Sequence, residues 1–137
     1  MPSPEVGFEK ITRILIVEDD VTMEPLWRYV IETARPGALV EWMTSGEAAA
    51  SRLQSTAFDL IISDIFLGGE VTGLDLWELA DNDRFLLISV ITPARLDALA
   101  LNTRRPLPSY IQKPLDPTQL IETVRALLGA NNFEANN

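Results

Sequence analysis

Apolar and polar positions fall in blocks along the chain. Arg13-Ile14-Leu15-Ile16-Val17, Leu60-Ile61-Ile62 and Phe85-Leu86-Leu87-Ile88 are nearly unbroken apolar runs, each stopped by polar residues. Short runs without polar alternation read as strands covered on both faces. The first is expected over 13–17 and the third over 59–63. The fourth is expected over 85–91, or 85–89 in a shorter form. Leu39-Val40-Glu41-Trp42-Met43 and Ser109-Tyr110-Ile111-Gln112 are weaker strands of the same kind. Between them the period changes. Leu26, Trp27, Val30, Ile31 and Ala34 share one helical face over 21–34, with Asp20 as N-cap and Pro25 tolerated near the first turn. Thr44 or Ser45 caps a short helix to Leu53, with Glu47 placed for a capping box. A third helix is expected over 72–80 on Leu74, Trp77 and Leu79. Thr92-Pro93 opens a fourth, to about Leu101. Asp116-Pro117 opens the fifth, with Leu120, Ile121, Val124, Leu127 and Leu128 on one face and Gly129 as its stop.

Strand and helix thus alternate five times. Helical crossovers between successive strands imply an α/β fold with a parallel sheet and helices on both faces. The expected organisation is one domain over 12–129, a flexible lead-in over 1–11 and a disordered tail over 130–137.

Composition narrows the chemistry. Hydrophobic residues make up 47% of the 137, enough for an ordinary core. The net charge of −9 argues against a nucleic-acid surface and suits a divalent cation or a basic partner. With neither cysteine nor histidine, disulfides, thiol nucleophiles, the usual zinc sites and histidine acid–base chemistry are excluded. No apolar run approaches the ~20 residues of a membrane span, and the N-terminus has no signal-peptide core. A soluble, cytoplasmic protein is expected.

In a parallel sheet the carboxyl ends of the strands share one rim, where ligands bind. Here that rim collects Glu18 and Asp19 from the first strand, Asp64 from the third, Ser89 or Thr92 from the fourth and Lys113 from the fifth. Carboxylates placed together repel unless a cation lies between them, and oxygen donors without His or Cys favour a hard ion, Mg²⁺. A lysine and a hydroxyl opposite it suit a phosphoryl group. A carboxylate beside Mg²⁺ can itself accept that group as an aspartyl phosphate.

ILIVEDD at the first strand, DLIISDI at the third, Gly73 beyond it and YIQKP at the fifth together resemble the receiver domain of response regulators, the phosphoacceptor module of two-component signalling. The resemblance covers about residues 12–129 and implies a flavodoxin-like (βα)5 three-layer sandwich with strand order 2-1-3-4-5. It implies that Asp64 is the phosphorylated aspartate. Asp19 would ligate Mg²⁺, Glu18 would help through water, and the Phe66 carbonyl would add a ligand. Lys113 would contact the phosphoryl oxygens, with a cis bond to Pro114, and Tyr110 falls at the aromatic switch position. Two features depart from the family pattern. Gly68 stands where Pro is usual, and Gly73 comes one residue late, in a lengthened LGGEVTG loop. The switch hydroxyl is Ser89 or Thr92, and Ser89 leaves the cleaner strand.

The function this implies is a stand-alone signalling switch and not an enzyme. It would be phosphorylated by a sensor histidine kinase or phosphotransfer protein and would signal through the face formed by the fourth helix, fifth strand and fifth helix to a downstream protein. The alternative is a phosphorylation-independent pseudo-receiver. A haloacid-dehalogenase-type phosphohydrolase is disfavoured, because its second aspartate would stand where Phe66 is. A flavin binder rests on fold analogy alone.

Overall fold

The computed structural model describes residues 10–103 and 105–135, with side chains as far as Gly129. Residues 1–9 of the expected lead-in and the last two residues of the expected tail lie outside the described residues. Strands β1 (Arg13–Val17), β2 (Leu39–Met43), β3 (Leu60–Asp64), β4 (Phe85–Ser89) and β5 (Ser109–Gln112) alternate with helices α1 (Glu24–Ala34), α2 (Gly46–Leu53), α3 (Gly73–Leu79), α4 (Pro93–Leu99) and α5 (Pro117–Ala135). The strands form one sheet in the order β2-β1-β3-β4-β5, every pair parallel. This is the flavodoxin-like fold with the expected strand order.

The sheet separates two apolar layers. On one side Ile14, Ile16, Ile62 and Ile88 pack with Trp27, Val30 and Ile31 of α1 and Leu120, Val124 and Leu128 of α5. On the other, Leu15, Val17, Ile61, Phe85 and Leu87 pack with Ala49 of α2, Leu76 and Trp77 of α3 and Leu96 of α4. Alternate strand residues feed opposite layers, so β1, β3 and β4 are buried along nearly their whole length and do not alternate with solvent. Trp27 and Trp77 are core side chains.

Local chemistry sets the element ends, in places differently from expectation. β3 starts at Leu60; just before it Asp59 is tied to β1 through its N–H on Arg13 O at 2.7 Å, and its carboxylate takes the Arg13 N–H at 2.8 Å and Lys10. The strand ends on Asp64, which stays in register with Ile88 of β4. β4 stops at Ser89, the shorter of the two forms. A 3-10 turn, Val21–Met23, capped by Asp20, precedes α1, whose first α-helical turn holds Pro25, a residue with no N–H to give. α4 likewise ends in a 3-10 turn, Ala100–Asn102. Ser45 rather than Thr44 caps α2, accepting from the Ala48 N–H, and Glu47 forms no capping box there. The capping box belongs to α3, where Thr72 and Asp75 exchange hydrogen bonds. In α3 it is Leu76 and Trp77 that are buried, while Leu79 faces out. Gly129 does not stop α5: it is not among the glycines with positive φ, and the helix continues to Ala135.

Glu41 of β2 is gripped by Arg52 at 2.7 Å and Arg13 at 3.1 Å, and the hydrogen bond from Arg52 leads in holding its carboxyl down at about 2, against an ordinary 4.5. Its folded pKa is depressed, so its contribution is present above pH 4.5 and is lost as pH falls toward 2. Glu41→Gln should therefore cost about 1 kcal/mol at neutral pH, after solvent screening, and flatten the acid side of the stability curve. Urea unfolding at pH 7 and pH 3 checks this: the difference from the parent protein should shrink at the lower pH.

Candidate functional site

The rim at the carboxyl ends of the strands gathers most of the expected residues. Glu18 continues β1 by one more pairing, its N–H donating to Met43 O, and the residue is 3% exposed. Asp64 ends β3 and is 9% exposed. Lys113 follows β5, with its N–H on Ser89 O at 2.7 Å. Its ammonium nitrogen lies 2.7 Å from Asp64 Oδ2 and 3.4 Å from Glu18 Oε1, and the bond to Pro114 is cis. Two buried carboxylates therefore share one cation, a short charge-assisted contact on Asp64 and a longer one on Glu18.

The protonation equilibria follow from this arrangement. Burial pushes the Glu18 carboxyl up. The Asp20 N–H draws it back, the Asp64 charge raises it again and Lys113 lowers it, for a net rise. Burial alone would lower Lys113, but the hydrogen bond and charge of Asp64, with Glu18 behind them, leave its ammonium held above the ordinary range.

Asp19 is exposed and lies against the loop after β3, where a side chain on Gly68 would come to 3.5 Å from Asp19 Oδ2. Phe66 lies in the same loop. Its N–H reaches Asp64 Oδ1 at 3.4 Å and its ring is half exposed. Gly68 has φ of +81°, the left-handed conformation a glycine takes without strain. The oxygen-only donor set of Glu18, Asp19, Asp64 and the Phe66 carbonyl fits a hard divalent cation. Among the described residues, however, no three acidic side chains are gathered into a ready-made metal cage. Lys113 spans the Glu18–Asp64 pair.

The two candidate hydroxyls differ sharply. Thr92 Oγ1 accepts from the Arg95 N–H at 3.2 Å as the N-cap of α4. Ser89 Oγ is buried, follows the residue paired with Asp64, and has no hydrogen-bond partner among the described residues. A buried hydroxyl with no partner is costly unless something else uses it. Tyr110 is half-buried. Its hydroxyl donates to Ser89 O at 3.1 Å or to Ile91 O, tying β5 to the segment that leaves β4. Burial and the Asp64 charge raise its pKa.

Glu47 had no motif to place it here, whereas Gly73 was part of the resemblance. Glu47 of α2 accepts from the Glu70 and Val71 N–H groups across the rim. Gly73 packs its α-carbon on the Asp64 carbonyl, where a Cβ would come to 2.3 Å.

Comparison with known proteins agrees with this geometry. The profile described as response regulator receiver domain matches residues 14–125. The response regulator protein PmrA of Pseudomonas aeruginosa is 33% identical over 118 residues, covering 84% of this chain and 52% of its own length. The chain spans about half the length of several curated relatives it matches. Among solved structures, the response regulator receiver protein of Sinorhizobium medicae superposes with a TM-score of 0.73 at 24% identity, covering 88% of this chain and 97% of its own. The receiver domain of the sensor histidine kinase PA1611 of P. aeruginosa, described with magnesium coordinated in its active-site cleft, gives 0.67 at 18% identity, covering 88% of this chain and 99% of its own. The chain belongs to the response regulator receiver domain family of two-component systems.

Proposed function

We propose that this receiver accepts a phosphoryl group on Asp64 from the phosphohistidine of a sensor kinase or phosphotransfer protein. The observation that carries the reading is the Lys113 ammonium 2.7 Å from the Asp64 carboxylate at the end of β3. One Asp64 oxygen attacks phosphorus in line. The phosphorus–nitrogen bond of the donor breaks with its electron pair going to the imidazole, and an acyl phosphate remains on Asp64. Lys113 stays as a point charge for the phosphoryl oxygens. Asp19, Asp64 and the Phe66 carbonyl would hold Mg²⁺, with Glu18 acting through water. When bound, the ion supplies positive charge against that developing on the phosphoryl oxygens. The test is incubation with a small acyl phosphate and Mg²⁺, read by intact mass.

The Ser89 hydroxyl, buried and unpartnered among the described residues, is the donor a phosphoryl oxygen would recruit. Its movement would loosen the tie that Tyr110 makes to the β4–α4 segment. That biases the α4–β5–α5 face between two arrangements and so alters contacts with a downstream protein. Ser89→Ala should leave phosphorylation possible but weaken its effect on partner binding. Thr92→Ala should remove only a helix cap, lowering stability by about 1 kcal/mol. Paired binding assays and thermal melts separate the two.

The lengthened Gly68–Gly69 loop favours a second reading, a phosphorylation-independent interaction module. On that reading partner binding would be indifferent to Asp64→Asn and to Mg²⁺.

A further inference from the structure

The loop between β3 and α3 is longer than the family pattern and holds two adjacent glycines, Gly68 and Gly69, which would leave its backbone free. Its anchors at either end are few. Phe66 N–H reaches Asp64, Thr72 N–H reaches Asp75, and Gly73 N–H donates to Ile65 O. Among the described residues, the backbone hydrogen bonds made from 67 to 71 are the two from Glu70 and Val71 N–H to Glu47 Oε2, at 2.9 and 3.3 Å.

The surroundings are shaped to admit this carboxylate. A Cβ on Gly69 would come within 2.7–2.8 Å of both Glu47 oxygens, so a side chain there would displace them. A Cβ on Gly46, one residue before Glu47, would come to 2.3 Å from Val71 O, so the start of α2 lies directly against the loop backbone. Glycine on each side of the contact lets a helix end and a loop meet without side chains between them.

We propose that Glu47 is a positioning residue for the phosphorylation site, a carboxylate latch that fixes the lengthened loop and with it the Phe66 carbonyl and the turn facing Asp19. This rests on the reading of Asp64 as phosphoacceptor. The latch replaces by a long-range contact the stiffness that proline at position 68 would give locally. Glu47→Ala removes the acceptor. Glu47→Gln keeps a carbonyl oxygen that can take both N–H groups while losing the charge, so it serves as the conservative rescue.

The experiment has two readouts on the intact chain. The first is amide hydrogen exchange of residues 68–71. The second is Mg²⁺-dependent phosphorylation by acetyl phosphate, with Mg²⁺ binding by calorimetry alongside. Glu47→Ala should speed exchange at Glu70 and Val71 at least tenfold. It should also raise the Mg²⁺ concentration for half-maximal phosphorylation several-fold, with a smaller change in the rate at saturating Mg²⁺. Glu47→Gln should stay within about twofold of the parent on both. Unaltered exchange in Glu47→Ala, or faster exchange with an unaltered Mg²⁺ requirement, overturns the latch. A parent protein that takes up no phosphoryl group overturns the phosphoacceptor reading instead, and the latch's role in it. Calorimetry and exchange would still report whether Glu47 holds the loop.

Discussion

Incubated with acetyl phosphate and Mg²⁺, the chain should gain the mass of one phosphoryl group, and Asp64→Asn should abolish the gain. Glu18 is buried deeper than Asp64 and lies farther from Lys113, 3.4 Å against 2.7 Å, and its second oxygen is held by the Asp20 N–H. Asp19 is exposed and, among the described residues, forms no ion pair with a Lys or Arg. Asp64 alone combines the strand end, a cation and a buried hydroxyl on the neighbouring strand. An asparagine in its place would keep the shape and lose the nucleophile. It would also relieve Glu18 of a like charge, so the Glu18 carboxyl should fall toward its ordinary range. Relief of that repulsion offsets part of the lost contact to Lys113, which still has Glu18 to pair with, so stability should fall less than for loss of an isolated buried partner. Mass gain retained in Asp64→Asn would move the acceptor elsewhere and overturn the assignment.

The largest structural effect is expected at Gly73. Its φ is not in the left-handed range, so the requirement is for room and not for conformation. A Cβ there would lie 2.3 Å from the Asp64 carbonyl oxygen and 3.0 Å from the Asp64 carbonyl carbon and the Ile65 α-carbon. All three are backbone atoms, and β3 is hydrogen-bonded on both sides, so none can move cheaply. Gly73→Ala should cost about 3 kcal/mol, the upper end for overpacking. It should also slow phosphorylation by displacing the residue that carries the acceptor. Gly129→Ala is the control. Among the described residues no atom beyond its chain neighbours and its own stretch of helix backbone lies within 4 Å of a Cβ at that site, and within a helix alanine should be favoured by about 0.5–1 kcal/mol. Denaturant unfolding of the two variants should give shifts of opposite sign.

The sheet was legible because its three central strands are mostly apolar and end in polar residues. Arg13–Val17, Leu39–Met43 and Ser109–Gln112 lie where the pattern puts them. The rim was legible for the same reason: a strand end followed by Glu18, Asp64 or Lys113 can deliver the side chain to only one edge of a parallel sheet. The pattern could not say how these groups divide one cation, which depends on distances of tenths of an ångström. It also assigned Glu47 by local rules to its own helix start, when its partners stand 23 and 24 positions away. Gly129 carried a stop signal that only a left-handed conformation would have made real. Between Ser89 and Thr92, sequence favoured Ser89 for its cleaner strand and gave Thr92 a helix start to cap. Burial separates them, because one hydroxyl is occupied as a helix cap and the other has nothing to bond among the described residues.

The division of the core by the sheet also gives the protein two separate optical probes. Trp27 and Trp42 belong to the layer shared with α1 and α5, whereas Trp77 sits in the opposite layer, edge-on to Phe85 with centroids 5.3 Å apart and under the guanidinium of Arg105 at 3.6 Å. Arg105 comes from the segment between α4 and β5, and it also holds the carbonyls of Trp77 and Ala80. A variant keeping only Trp77 would report by its emission on movement of that segment, while one keeping only Trp27 would report on the α1–α5 side. Fluorescence from the pair of variants would then show which half of the molecule responds when Asp64 is modified.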